Sequence, residues 1–293
     1  MFHRRSPEFC PQDEVLVNWF RRLCSLSLLL LAALGLQAQQ PSADPVLTAM
    51  QQELTRSFQN LKKQPVPPYF LSYQLTDNRA IEVSASYGAL SGSSDRTSRM
   101  LDLDLRVGDY SLDNSHPLRE SNPYGDFSER MDRLRMPLED DPAALRVALW
   151  QETEQKYRSA VQRLQKVKAN VQVKVEAEDR SGDFSHEPAE VYSEPVAPFS
   201  FDTSAWEQKM RLFTAPFAQH KEIIENSAEV IAELETRRYV NSDGSQIRIS
   251  SPFYRIIISA TAKADDGMEL PLHQTYMSFR PDACPTTPPC RKM

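Results

Sequence analysis

Between Arg237 and Gly267 the chain reads RRYVNSDGSQIRISSPFYRIIISATAKADDG, and no other stretch narrows its folding options so far. Apolar and polar residues alternate up to Val240, with the period of a half-buried strand. Asn241-Ser242-Asp243-Gly244 follows as a tight turn, in which Gly244 takes a positive φ at no steric cost. A second strand is expected from Ser245 to Ser250. After a break at Pro252, a third is expected from Phe253 to Ala264. The pattern is a β-meander, so the chain must build an antiparallel sheet and cover at least one face of it.

The upstream sequence supplies the cover. From Ser42 to Gln64, Val46, Leu47, Met50, Leu54, Phe58 and Leu61 recur at three- and four-residue steps, the mark of an amphipathic helix. Ser42 or Asp44 can cap it and Pro45 suits its first turn. Strand patterns follow at Tyr69 to Leu75 and Ala80 to Leu90, and Ser91-Gly92-Ser93-Ser94 has turn composition. Leu101, Leu103, Leu105 and Val107 then share one face, with Asp102, Asp104 and Arg106 on the other. Asp140-Asp141-Pro142 opens a long helix reaching about Ala169, with acids at its positive end. Asp202 or Thr203 caps a shorter one carrying Trp206, Met210 and Phe213. A strand from Glu222 starts the final meander and Leu272 to Phe279 ends it. The expected class is α+β, with helices on one face of antiparallel meanders.

The termini carry different signals. Arg21-Arg22 precede the apolar run Leu23 to Leu36, and Ala38 is a small residue before Gln39. This is the layout of a secretory signal peptide over residues 1–38, with Met1 to Leu16 as a mis-assigned upstream start. The run falls short of the roughly 18 residues of a spanning helix. A periplasmic or secreted protein without a membrane span after cleavage is therefore expected. Residues 39–279 read as one α+β domain, and 280–293 as an aberrant or disordered tail. Of the four cysteines, Cys10 and Cys24 fall in or before the signal. Cys284 and Cys290 lie in the tail, where a small disulfide loop remains open. The net charge of −6 argues against a nucleic-acid partner. The basic pairs Arg237-Arg238 and Lys62-Lys63, flanked by acids, read as solvated faces.

Motifs for chemistry are sparse. No two of His3, His116, His186, His220 and His273 lie within a helical turn of each other, so the sequence has no H-E-x-x-H pair. G-x-S-x-G, P-loop and dinucleotide fingerprints are absent as well. Asp102 and Asp104 sit about 7 Å apart on one strand face. That separation suits an inverting glycosidase, and simple solvated alternation places the same residues there. Glu139-Asp140-Asp141 is explained by the helix dipole. Tyr110, Tyr124, Phe127, Phe184 and Tyr192 lie in two long loops. They can either line a groove for an extended peptide or tack the loops to the body.

Several segments, taken in order, resemble the TldD/PmbA family, whose members are zinc metallopeptidases once called modulators of DNA gyrase. The closest likeness is to the N-terminal domain of a secreted branch. The segments are Pro68-Tyr69-Phe70-Leu71-Ser72-Tyr73, Arg106-Val107-Gly108-Asp109-Tyr110-Ser111-Leu112-Asp113-Asn114 and Tyr239-Val240-Asn241-Ser242-Asp243-Gly244-Ser245. Leu138-Glu139-Asp140-Asp141 and Ala264-Asp265-Asp266-Gly267-Met268 fit as well. The resemblance implies an α+β N-terminal domain, a β-rich C-terminal domain that binds zinc through an H-E-x-x-x-H helix and a later Cys, and homo- or hetero-dimers that cleave extended peptides. This chain contains no H-E-x-x-x-H, so the resemblance assigns it no catalytic or metal residue. Zinc is expected only in the missing C-terminal domain, and Asn241 and Gly244 are structural turn residues. An N-terminal portion inactive on its own is the expected reading. A non-catalytic envelope module that binds peptides or proteins is the alternative.

Overall fold

A computed structural model describes residues 44–118, 133–172 and 181–280. The signal segment, the tail with Cys284 and Cys290, and the loop aromatics Tyr124 and Phe127 lie outside the described residues. Among the described residues three α-helices, α1 (Pro45–Leu61), α2 (Pro142–Gln172) and α3 (Thr203–Thr214), accompany seven strands. These are β1 (Pro68–Ser86), β2 (Ala89–Val107), β3 (Leu134–Arg135), β4 (Val191–Ser193), β5 (Ile223–Asn241), β6 (Gln246–Lys263) and β7 (Glu269–Ser278). They form one sheet in the order β3-β2-β1-β5-β6-β4, with β7 also paired to β6. All pairings are antiparallel except the short parallel contact of β4 with β6. The protein is thus α+β, an essentially antiparallel sheet packed by helices.

The sheet rests on two hairpins of unusually long strands. β1 and β2 have 19 residues each, and β5 and β6 have 19 and 18. Here the structure corrects two sequence expectations. The first turn falls not at Ser91–Ser94, which lies inside β2, but at Tyr87-Gly88, both with positive φ (47° and 83°). Two such residues are what a two-residue hairpin turn of right-handed twist requires. Tyr87 tolerates that conformation because its surroundings hold it. Asn226 Oδ1 accepts its N–H at 3.0 Å, and Thr214 Oγ1 accepts the Gly88 N–H at 2.9 Å. The two strand patterns from Tyr69 to Leu90 are therefore one continuous β1 up to Ser86.

The second correction concerns Pro252, which does not break β6. Ser250 N donates outward to Glu194 and Arg248 O accepts outward from Glu194 N, so even-numbered residues here direct their backbone polar groups away from β5. Pro252 falls between the β4 partners (246–248) and the β7 partners (254–263) of β6. Its missing N–H faces a stretch of outer edge without a partner among the described residues, where a proline costs the ladder nothing.

One face of this sheet carries two separate apolar cores. Under α1 and α2 lie Leu71, Tyr73, Leu75, Leu101, Leu105 and Val240, with Met50, Leu145, Leu149 and Leu164 from the helices. Under α3 lie Val83, Ala85, Ala228, Val230, Ala232, Tyr254 and Ile256, with Trp206, Met210 and Phe213. Odd-numbered β1 residues serve both cores, so all three helices sit on the same side. The opposite face presents the even-numbered β1 residues, such as Gln74, Asn78 and Glu82. Asp44 caps α1 by accepting from the Val46 and Leu47 amides at 3.0 and 3.1 Å. Asp202 caps α3 through Ala205 N at 3.0 Å. No described helix is long and apolar enough to cross a membrane.

Candidate functional site

The turn between β5 and β6 is built by its own side chains. Asn241 Oδ1 accepts from the Asp243 and Ser245 amides at 3.1 and 2.8 Å. Gly244, with φ of 105°, returns its N–H to Asn241 O at 3.3 Å. Ser242 reaches across to β1, donating its N–H to Leu71 O at 2.8 Å while its Oγ accepts from Leu71 N at 3.2 Å. The turn is thereby fixed against the start of β1. α1 runs past it and leaves a cleft of about 310 Å³. Leu54 and Val240 form a buried floor, and Phe58 adds a half-buried ring. Gln51, Thr55 and Gln59, at four-residue steps on α1, face Ser245 and Gln246 across the opening.

Between the two cores the same face carries a chain of charges whose arginines and Asp44 are buried and which runs out to the exposed Asp140. Asp44 Oδ2 accepts from Arg238 Nε at 2.7 Å and from Arg248 at 3.0 Å. Arg238 also reaches Asp77 at 2.5 Å, and Asp77 takes two bonds from Arg99, at 2.5 and 3.0 Å. Arg99 goes on to Asp140 at 2.7 Å. The arginine side chains are 5–9% exposed and that of Asp44 is 5% exposed. Burial pushes the Asp44 carboxyl up, but Arg238, the Leu47 amide and Arg248 outweigh it and hold the pKa below the ordinary aspartate value. The Arg237-Arg238 pair is therefore not a solvated face, since Arg238 is a member of this network. Local sequence gave no signal for it. The partners sit 161 and 194 positions away, and only the register of β5 on β1 and β6 brings them together.

The loop aromatics divide. Phe184 packs against Phe70 (4.9 Å between centroids), stacks near Tyr110 (6.1 Å) and lies under the Arg106 guanidinium at 4.0 Å. Tyr110 contacts Tyr69 at 4.7 Å. Asp183 accepts the Asp113 N–H at 2.9 Å and lies 2.6 Å from His116 Nδ1. Tyr110 and Phe184 thus tack their loops to the end of β1 and β2. Tyr192, on β4, is 53% exposed and donates its hydroxyl to Glu194.

The remaining candidates have structural partners. Asp102 sits beside Gln74 and Arg133, Asp104 pairs with Arg106, and Asp141 caps the Ala143 amide. His220 pairs with Glu222, His186 lies by Tyr110, and His273 is exposed on β7. His3 lies outside the described residues. No three His, Cys, Asp or Glu side chains among the described residues are grouped to hold a metal ion. On the open sheet face Glu229 titrates above the usual glutamate range, because of burial first and the adjoining Glu82 second.

Both rims of the sheet have stretches of edge without a strand partner among the described residues. β3 covers β2 only at Met100 and Leu101. The outer side of β7 has no strand partner among the described residues. Leu270 and Leu272 stand on its helix-bearing side and Met277 on the other, 47–67% exposed.

The fold and these edges define a class, a single-sheet α+β protein with long hairpins and a helix-covered face. Neither a family model nor a curated protein matches the chain. It is similar to several solved structures, three of which illustrate the likeness. One is a candidate modulator of DNA gyrase from Thermotoga maritima, at 12% identity and a TM-score of 0.42, covering 80% of this chain and 45% of that one. Another is TldE from Thermococcus kodakarensis, at 12% and 0.41, covering 79% and 43%. A third is a candidate modulator of DNA gyrase from Bacteroides thetaiotaomicron, at 10% and 0.46, covering 80% and 45%. The chain spans less than half the length of each.

Proposed function

We propose that this sheet is the scaffold portion of a TldD-like periplasmic or secreted metallopeptidase and that it holds an extended peptide along the outer edge of β7. Zinc and the hydrolytic residues belong to a domain outside this chain, and a homo- or hetero-dimer encloses the substrate. The observation that carries the reading is the β7 edge. From Glu269 to Ser278 the outer side of β7 presents a backbone row without a strand partner among the described residues, with exposed apolar side chains on both faces. An extended polypeptide satisfies such a row by adding a strand, and the flanking side chains supply apolar contacts. The ordered TldD/PmbA-like segments support the peptidase part of the reading. A non-catalytic envelope binding module would use the same edge.

The test is hydrolysis and binding measured together on the purified chain, with reduced, carboxymethylated casein as the unfolded polypeptide. The expected result is binding without cleavage. Cleavage by the chain alone, abolished by a chelator, would place the metal chemistry inside this polypeptide and overturn the assignment.

A further inference from the structure

We propose that the cleft between α1 and the β5–β6 turn is a second binding site, selective for an uncharged segment of extended polypeptide. It is independent of the β7 edge, which lies along β6 from Tyr254 onward. None of the eleven residues lining the cleft is ionisable. The hydrogen-bonding groups of the turn itself are already used. Asn241 Oδ1 closes its own loop, Ser242 is bonded to Leu71, and Ser245 Oγ accepts the Glu190 amide at 3.1 Å. Gln51, Thr55, Gln59 and Gln246 are different, because their side chains make no hydrogen bond among the described residues. Four uncommitted polar groups thus surround an apolar floor.

The chemistry of that arrangement selects its occupant. A side-chain carboxamide carries both an N–H donor and a carbonyl acceptor, so it can pair with either half of a peptide unit. Three glutamines and a threonine can therefore pair with main-chain amides in either direction. The lining residues carry no charge of their own, so a charged side chain that gives up water to them gains no ion pair from the lining in return, which is costly. The volume lies at the low end of ligand pockets, about 300–1,000 Å³, and suits a few residues. A sugar is a poorer match. Phe58 supplies the only aromatic ring of the lining, and Lys62 Nζ stands 4.8 Å from its centroid.

The test is calorimetric titration of the full chain with two capped decapeptides. One is composed of Ser, Asn, Gln, Ala and Gly, and the other replaces alternate residues with Lys and Glu. Thr55→Trp fills the cleft from an exposed position, and Gln52→Trp places the same ring on α1 at an exposed residue outside the lining. The neutral peptide is expected to bind saturably, to weaken about tenfold in Thr55→Trp and to be unaffected by Gln52→Trp. Hydrogen-exchange protection at β7 should be the same in both variants, which separates this site from the edge. Equal affinity for the charged peptide, no saturable binding, insensitivity to Thr55→Trp, or displacement of the peptide by maltotriose would each overturn the proposal.

Discussion

Asp44 performs two tasks, and substitution can separate them. Its carboxylate caps α1 through two amides and also neutralises Arg238 and Arg248. Asp44→Asn keeps an efficient cap, since asparagine ranks with aspartate there. It removes the charge, however, and leaves Arg248 with one neutral acceptor, Glu194 O at 2.7 Å. Removing one partner of a buried pair typically costs about 3–5 kcal/mol. Arg238 retains Asp77, so the low end, ~3 kcal/mol, is expected. Asp44→Ala loses the cap as well, at ~1 kcal/mol more. Urea unfolding followed by circular dichroism reads both, with an unchanged slope showing that only stability moved. The pH dependence follows from the direction of the shift. The folded-state pKa of Asp44 is depressed, so its contribution is fully present above the unfolded value of about 3.9 and disappears as pH falls through the lower folded value. Wild type should therefore lose more stability below pH ~4 than Asp44→Asn does. If Asp44→Asn lies within ~0.5 kcal/mol of wild type, or its acid profile superimposes, the network is not the seam between the two cores that its geometry indicates.

Backbone substitutions test the two hairpins. Gly244→Ala meets only Ala189 Cβ, at 3.6 Å, so its cost is the positive φ alone, about 1–2 kcal/mol by thermal unfolding. A cost indistinguishable from zero would mean that the turn rearranges. In β6, Pro252→Ala should change stability by less than ~1 kcal/mol. Ser251→Pro, one residue earlier and with its N–H toward β5, should cost ~3 kcal/mol or more, and equal effects would contradict the register.

Much of the architecture is legible in the sequence because it depends on local periodicity. The α1 stripe, the β2 alternation from Leu101 to Val107 and the Asp202 cap are all properties of neighbouring residues. The β5–β6 turn belongs with them, since Asn241 and Gly244 organise it within five positions. The hairpin at Tyr87-Gly88 is less legible. Its positive φ at a tyrosine is supported by Asn226 and Thr214, over 120 residues distant. A composition rule therefore prefers Ser91–Ser94. Pro252 misleads for a related reason, because a proline interrupts a strand only if its nitrogen faces a partner, and the edge position of β6 is a tertiary fact. The ion network and the cleft are tertiary throughout. Arg238 beside Arg237 looks like an ordinary surface pair until β1 and β6 are laid alongside it. The cleft exists only because α1 passes the turn at the distance set by the first core.

Hydrogen exchange with mass spectrometry, in the presence and absence of reduced, carboxymethylated casein, tests the peptide-holding role most directly. Slowed exchange along the amides of Glu269–Ser278 is the predicted result. Unchanged exchange along β7 under saturating casein, or protection appearing only on the open sheet face, would contradict it.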